Sequence, residues 1–202
     1  VAYSGFNKEL KDANKQLKDL KQALDTLARN KMKVLTEQEI KEICERLGAQ
    51  ISKDYEGKEL VVVGMLKGCA PFMMELIKHI TIPMRMDFMQ ITSYHGGTES
   101  NTVVFKKDIE MNVAGKHVII VDDIIDTGKT IMEVFNIFKT RRVASIELAC
   151  LLDKPEGRVV DYNPKYVGTT IPKEFVIGYG LDFDELYRNL PFVGVLKEEY
   201  YQ

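Results

Sequence analysis

The chain has 202 residues, and its 28 lysines and arginines against 30 aspartates and glutamates leave a formal net charge of −2. That length favours one domain whose core needs no disulfide or metal staple. A composition of 45% hydrophobic and 29% charged residues excludes wholesale disorder and collagen-like or fibrous chains. The near-neutral balance argues against a nucleic-acid platform built on bulk positive charge. Cys44, Cys69 and Cys150 lie far apart in the sequence and read as free thiols in a reducing compartment. No apolar run approaches the ~20 residues a membrane span needs. The first residues lack a charged lead and an apolar stretch of the signal-peptide kind, so the expectation is a soluble, cytoplasmic protein with no membrane partner.

Residues 1–31 form a region of their own. Leu10, Ala13, Leu17, Leu20, Leu24 and Leu27 recur at steps of three and four, which predicts an amphipathic helical extension ahead of a domain spanning 32–202. Thr36 and Glu39 have capping-box spacing, and Ile40, Ile43, Leu47 and Ile51 then line one helix face. From Leu60 the rhythm changes. The apolar runs Leu60–Val63, Met84–Ile91, Val118–Val121 and Ile146–Leu152 alternate with helical stretches at Pro71–Ile80 and around Met132–Phe135. Strands alternating with helices imply a mostly parallel sheet buried on both faces, an α/β fold. Between them, residues 93–102 (SYHGGTESNT) have no core-forming pattern and read as a loop of the kind used for lids. His79, His95 and His117 show no metal-ligand spacing.

The segment 118–130, VIIVDDIIDTGKT, carries the chemistry. A buried strand runs into adjacent carboxylates, Asp122 and Asp123. A third, Asp126, precedes a Gly128-Lys129-Thr130 turn that opens a helix. Ligands of open parallel sheets sit beyond the carboxyl ends of strands, and amide groups at a helix start bind anions. A P-loop also requires a glycine five positions before Gly128. Asp123 stands there, so the nucleoside-triphosphatase reading fails. A phosphate beside carboxylates needs something between them. Vicinal hydroxyls donating to the acids would serve, and so would a divalent cation; a phosphorylated ribose supplies both phosphate and hydroxyls.

The run Asp123-Ile-Ile-Asp126-Thr-Gly-Lys-Thr130 closely resembles the ribose-phosphate signature of the type I phosphoribosyltransferases, in particular the hypoxanthine-guanine phosphoribosyltransferases. Further segments fall in the family's order: Leu66-Lys67-Gly68 resembles its pyrophosphate loop and Ser93-Tyr94 the start of its flexible catalytic loop. Residues 151–158 (LLDKPEGR) are similar to its purine-binding lysine segment, and Phe175-Val176 with Asp182 to its base-stacking hood. The resemblance implies the type I phosphoribosyltransferase fold with a small hood, and transfer of phosphoribosyl from phosphoribosyl pyrophosphate to a 6-oxopurine with Mg²⁺. It also implies a homo-oligomer, dimeric or tetrameric.

It further implies a role for each matching residue. Asp126 becomes the general base, although its residue type also suits a helix N-cap. Asp122, Asp123, Ile125, Asp126, Thr127, Gly128, Lys129 and Thr130 bind the ribose phosphate. Lys67, Gly68 and Arg188 hold pyrophosphate, and the Lys67–Gly68 peptide can be cis in the family. Lys154, Phe175, Val176 and Asp182 face the purine, Ser93 and Tyr94 belong to the lid, and Asp122, Asp123 and Asp182 bind the metal. The family often carries Glu where Asp122 stands, and a smaller residue where Cys69 stands. A fixed ammonium at Lys154 matches the O6 of hypoxanthine or guanine and opposes the amino group of adenine. Two alternatives remain: a xanthine-preferring sibling, and a non-catalytic regulator on the same fold, which the net charge and the retained Asp126 disfavour.

Overall fold

The computed structural model describes residues 33–94 and 102–197. The predicted extension over 1–31 and most of the lid loop fall outside them. Strand β1 (Lys33–Leu35) is followed by helix α1 (Glu37–Asp54). Thr36 caps α1 as the spacing predicts: its Oγ1 accepts from Glu39 N at 3.2 Å, and its own N–H donates to Glu39 Oε2 at 2.7 Å. Strand β2 (Leu60–Met65) leads through a tight turn to α2 (Ala70–Leu76), which tightens into a 3₁₀ turn at Ile77–His79. Then come β3 (Met84–Tyr94), β4 (Thr102–Lys107), β5 (His117–Ile125), α3 (Lys129–Thr140) and β6 (Ser145–Asp153). The chain closes with β7 (Tyr166–Thr170), β8 (Val176–Ile177) and β9 (Val193–Val195).

Six strands form one sheet in the order β4-β3-β2-β5-β6-β7. All its pairs are parallel except β3 with β4. Side chains alternate across a strand, so each apolar run feeds two cores at once. Val62, Ile119, Val121, Ala149 and Leu151 pack on the side of α1 and α2. Val61, Val63, Val118, Ile120, Leu148 and Cys150 pack on the opposite side, against α3 through Val134, Phe135 and Phe138. Burial on both faces is why these strands read as unbroken apolar runs rather than alternating ones. A second, antiparallel sheet of order β1-β9-β8 forms the hood.

The structure corrects the sequence reading in several places. Strand β3 runs three residues past the expected end, so Ser93 and Tyr94 close it by pairing with Val103 and Thr102 rather than opening a loop. Strands β1, β4, β7, β8 and β9 were not anticipated. They are short, edge-placed or polar, and the apolar periodicity that marks interior strands is missing from them.

Candidate active site

β2 and β5 are neighbours, yet the chain leaves β2 toward β3 on one side and β5 toward β6 on the other. This reversal of strand order opens a crevice at the carboxyl ends. It sets the turn after β2 beside the turn after β5, with Gly64 and Val121 in register just behind them. The crevice has a volume of ≈ 260 Å³ and is lined by residues 122–128 with Thr130 and Ile131.

Asp122 and Asp123 sit in the last part of β5. Burial and mutual repulsion push the Asp122 carboxyl well above the usual carboxylate range. Burial also raises Asp123, although a hydrogen bond with the Asp122 side chain, local N–H groups and the charge of Arg188 oppose the shift. Each accepts a backbone N–H, Asp122 from Asp123 at 3.0 Å and Asp123 from Ile124 at 2.9 Å. Among the described residues neither forms an ion pair. Two adjacent carboxyls in this condition suit a cation or a pair of hydroxyl donors. The Lys67-Gly68 turn lies directly against them: a Cβ added to Gly68 would fall 1.8 Å from Asp123 Oδ2. Any side chain there would displace the carboxylate. The cis peptide of this turn is Leu66–Lys67, one bond before the Lys67–Gly68 peptide suggested by the sequence.

The adjoining turn ends in Gly128, whose φ of 79° belongs to the left-handed region where a side chain is strained. Gly128, not Asp126, is the N-cap of α3, and among the described residues no side chain caps that helix. Thr127 Oγ1 comes only to 3.4 Å of Lys129 N. The first-turn amides of α3 therefore end at the crevice without strong side-chain acceptors, the arrangement that binds a phosphate. Asp126 is left to the crevice rather than to the helix.

Just past the end of β6, the strand beside β5, stands Lys154, only 9% exposed. Its backbone N–H donates to Ile125 O at 2.9 Å. Burial pulls its pKa below the usual lysine value, while the nearby charges of Asp126 and Glu174 push back. Phe175, 39% exposed, makes an edge-to-face contact with Phe183 at 5.9 Å and 89°. Val176 is buried in β8.

The model of the phosphoribosyl transferase domain matches residues 32–184. This chain belongs to the phosphoribosyltransferase family. It is 54% identical over 169 residues, covering 83% of this chain and 94% of the relative, to the hypoxanthine-guanine phosphoribosyltransferase of Streptococcus pneumoniae. The enzyme of that name from Staphylococcus aureus is 52% identical, with the same coverage. The crystal structure of a hypoxanthine phosphoribosyltransferase from Staphylococcus aureus superposes with a TM-score of 0.81 at 51% identity, over 84% of this chain and 93% of that one.

In this phosphoribosyltransferase a charged edge of the hood meets the turn after β2. Arg188 pairs with Asp182 at 2.8 Å, lies 3.6 Å from Glu185 and donates to Gly180 O at 2.7 Å; its Nε is buried without a partner among the described residues. Lys67 reaches across from the β2 turn to Glu185 at 2.6 Å. Lys67, next to Gly68, and Arg188 thus both approach Glu185. Asp182 does not join Asp122 and Asp123 as a third metal ligand. Its carboxylate is held by Arg188 and by Glu185 N at 2.9 Å, and no group of three candidate ligands assembles among the described residues. Cys69 is fully buried behind the turn as a small apolar filler, and burial raises its thiol far above the usual range. No described helix of this phosphoribosyltransferase is long and apolar enough to cross a membrane.

Sequence reasoning missed Glu185 and Arg158. Arg158 lies four residues after Lys154, inside a segment already singled out, and that proximity was the available signal.

Proposed function

We propose that this phosphoribosyltransferase serves purine salvage, transferring phosphoribosyl from phosphoribosyl pyrophosphate to hypoxanthine or guanine to give IMP or GMP and pyrophosphate. The observation that carries the reading is a crevice carboxylate that caps no helix, Asp126, close enough for its charge to act on the buried Lys154. Its named relatives carry out chemistry of that class.

The turn 127–130 holds the ribose 5-phosphate through amide and hydroxyl donors. Lys154 donates to the purine O6, and the exposed face of Phe175 stacks on the ring while Val176 offers backbone contacts. Asp126 accepts the N7 proton as N9 forms its bond to ribose C1 and the C1–oxygen bond to pyrophosphate breaks. Positioned proton transfer of this sort is worth roughly 10²–10⁴-fold. Lys67, Gly68 and Arg188 receive the departing diphosphate. Ser93 and Tyr94, at the end of β3, contribute to the cover over it. Asp122 and Asp123 fit a divalent cation on the grounds given above, whereas Asp182 would reach one only after leaving Arg188. A bound Mg²⁺ would supply positive charge for the diphosphate as it leaves. The enzyme works in the cytoplasm as a homo-oligomer, and residues 1–31, which precede the family match, are dispensable for turnover.

Steady-state kinetics with hypoxanthine, guanine, xanthine and adenine separately, each with phosphoribosyl pyrophosphate and Mg²⁺, tests the proposal. Turnover of 6-oxopurines that a chelator abolishes is expected. Preferential use of adenine, or no turnover at all, would end it.

A further inference from the structure

Arg158 has no part in the chemistry above, yet its guanidinium spans three separate stretches of chain around Asp126. Its Nε donates to the Asp126 carbonyl at 2.8 Å, its Nη1 donates to the Tyr162 carbonyl at 2.7 Å, and its Nη2 pairs with the Asp153 carboxylate. The first acceptor follows β5, the last ends β6, and Tyr162 lies on the link to β7. The arginine and Asp153 side chains are only 10% and 14% exposed. Neighbouring residues of the same strap press on the same turn. Val159 N donates to Thr127 O at 3.1 Å. The Asp126 carboxylate lies over Gly157, with Oδ1 1.7 Å from where a Cβ would be.

We infer that Arg158 is a positioning residue for Asp126, fixing the peptide that aims this carboxylate into the crevice. The inference rests on the reading of Asp126 as the proton acceptor. Three acceptors in three directions call for a planar fork of donors, which arginine has and lysine lacks. Asp153 neutralises the guanidinium, so the pair acts through geometry rather than by placing a net charge near Asp126 or Lys154. A misplacement of about 1 Å at a reacting group costs on the order of 10²-fold in rate.

The test is a cycle of Arg158→Lys, Asp126→Asn and the double variant, with kcat and both KM values measured for each. Arg158→Lys should lower kcat by about 10–100-fold and move either KM by less than about threefold. On the Asp126→Asn background the same change should cost less than about threefold, because the carboxylate it aims is already gone. A merely structural arginine would cost the same on both backgrounds, and equal losses would overturn the inference. So would an unchanged kcat in Arg158→Lys. If Asp126→Asn alone keeps the parent rate, the reading of Asp126 fails and takes this inference with it; a slow Asp126→Asn with equal losses removes Arg158 alone. Circular-dichroism melts report folding of each variant. Should Arg158→Lys not fold, Asp153→Asn frees one arm of the fork. It should lower kcat by about 3–10-fold with the same background dependence, and equal loss on both backgrounds overturns the inference there too.

Discussion

The tip of β5 and the edge of the hood are both acidic, and they treat their charge in opposite ways. At the tip, Asp122 and Asp123 crowd together among protein atoms, and no described cation pairs with either. At the hood edge, Asp182 and Glu185 are taken up by Arg188 and Lys67. The tip holds an electrostatic demand that a proton or a ligand can satisfy. The hood holds cations whose demand is already met from within, so on the proposed reading an arriving diphosphate would exchange with internal carboxylates. Depth sets the scale of each: interactions at the tip act in a low effective dielectric, while the Lys67–Glu185 pair, with side chains 55% and 64% exposed, is screened by water and salt.

Four substitutions probe that contrast. Asp126→Asn should produce the largest effect, a loss of about 10²–10⁴-fold in kcat with phosphoribosyl pyrophosphate binding little changed. An unaltered kcat would deprive the tip of its chemical role. Next, Lys154→Ala should cut the hypoxanthine-to-adenine ratio of kcat/KM by about 10²-fold or more, since a site built around one hydrogen bond discriminates strongly. Retention of the parent's ratio would place purine selection elsewhere.

The third concerns stability and pH. Because Asp122 and Asp123 titrate higher when folded, the native state binds more protons than the unfolded chain over that interval. Their contribution is fully present below the ordinary carboxylate value and is lost as pH rises through the raised folded values. Asp54, Asp87 and Asp108 are shifted downward and act with the opposite sign, so the informative quantity is the difference between parent and Asp122→Asn. Without divalent cation, the variant should melt about 2–4 °C above the parent at pH 7, and the gap should close toward pH 4. Added Mg²⁺ should favour the parent. A variant less stable than the parent at pH 7 would mean the pair is not repulsive.

The smallest effect belongs to the hood. Glu185→Gln should tighten product inhibition by pyrophosphate by about two- to threefold at low salt, fading at high salt, as for exposed ion pairs. Inhibition indifferent to this change would show that diphosphate does not compete with Glu185.

Much of the tip was legible in the sequence because its message is local. A buried strand, two carboxylates and a glycine turn are contiguous from Val118 to Thr130, and the strand's apolar run survives any tertiary context. The hood was less legible. Its strands β8 and β9 are two and three residues long, and its contacts join residues as distant as Lys67 and Glu185. Asp182 shows the cost of this distance: its residue type suits a metal, but its neighbour in space is an arginine. Arg158 was hidden for the same reason, since its three acceptors converge only once β5, β6 and the link to β7 lie side by side. Asp126 reads as a helix cap by residue type, and only the left-handed backbone at Gly128 moves the cap two residues on.

The parallel ladder pairs Ile125 with Asp153, and Lys154 N bonds back to Ile125 O. On the proposed reading, the amine that would choose the base and the carboxylate that would take its proton therefore both follow one shared rung of the sheet. Neither can be retuned by a backbone shift without dragging the other out of place. On that reading, a lineage changing its base preference would do so by exchanging side chains, at Lys154 or in the hood, while leaving the backbone of this rung untouched.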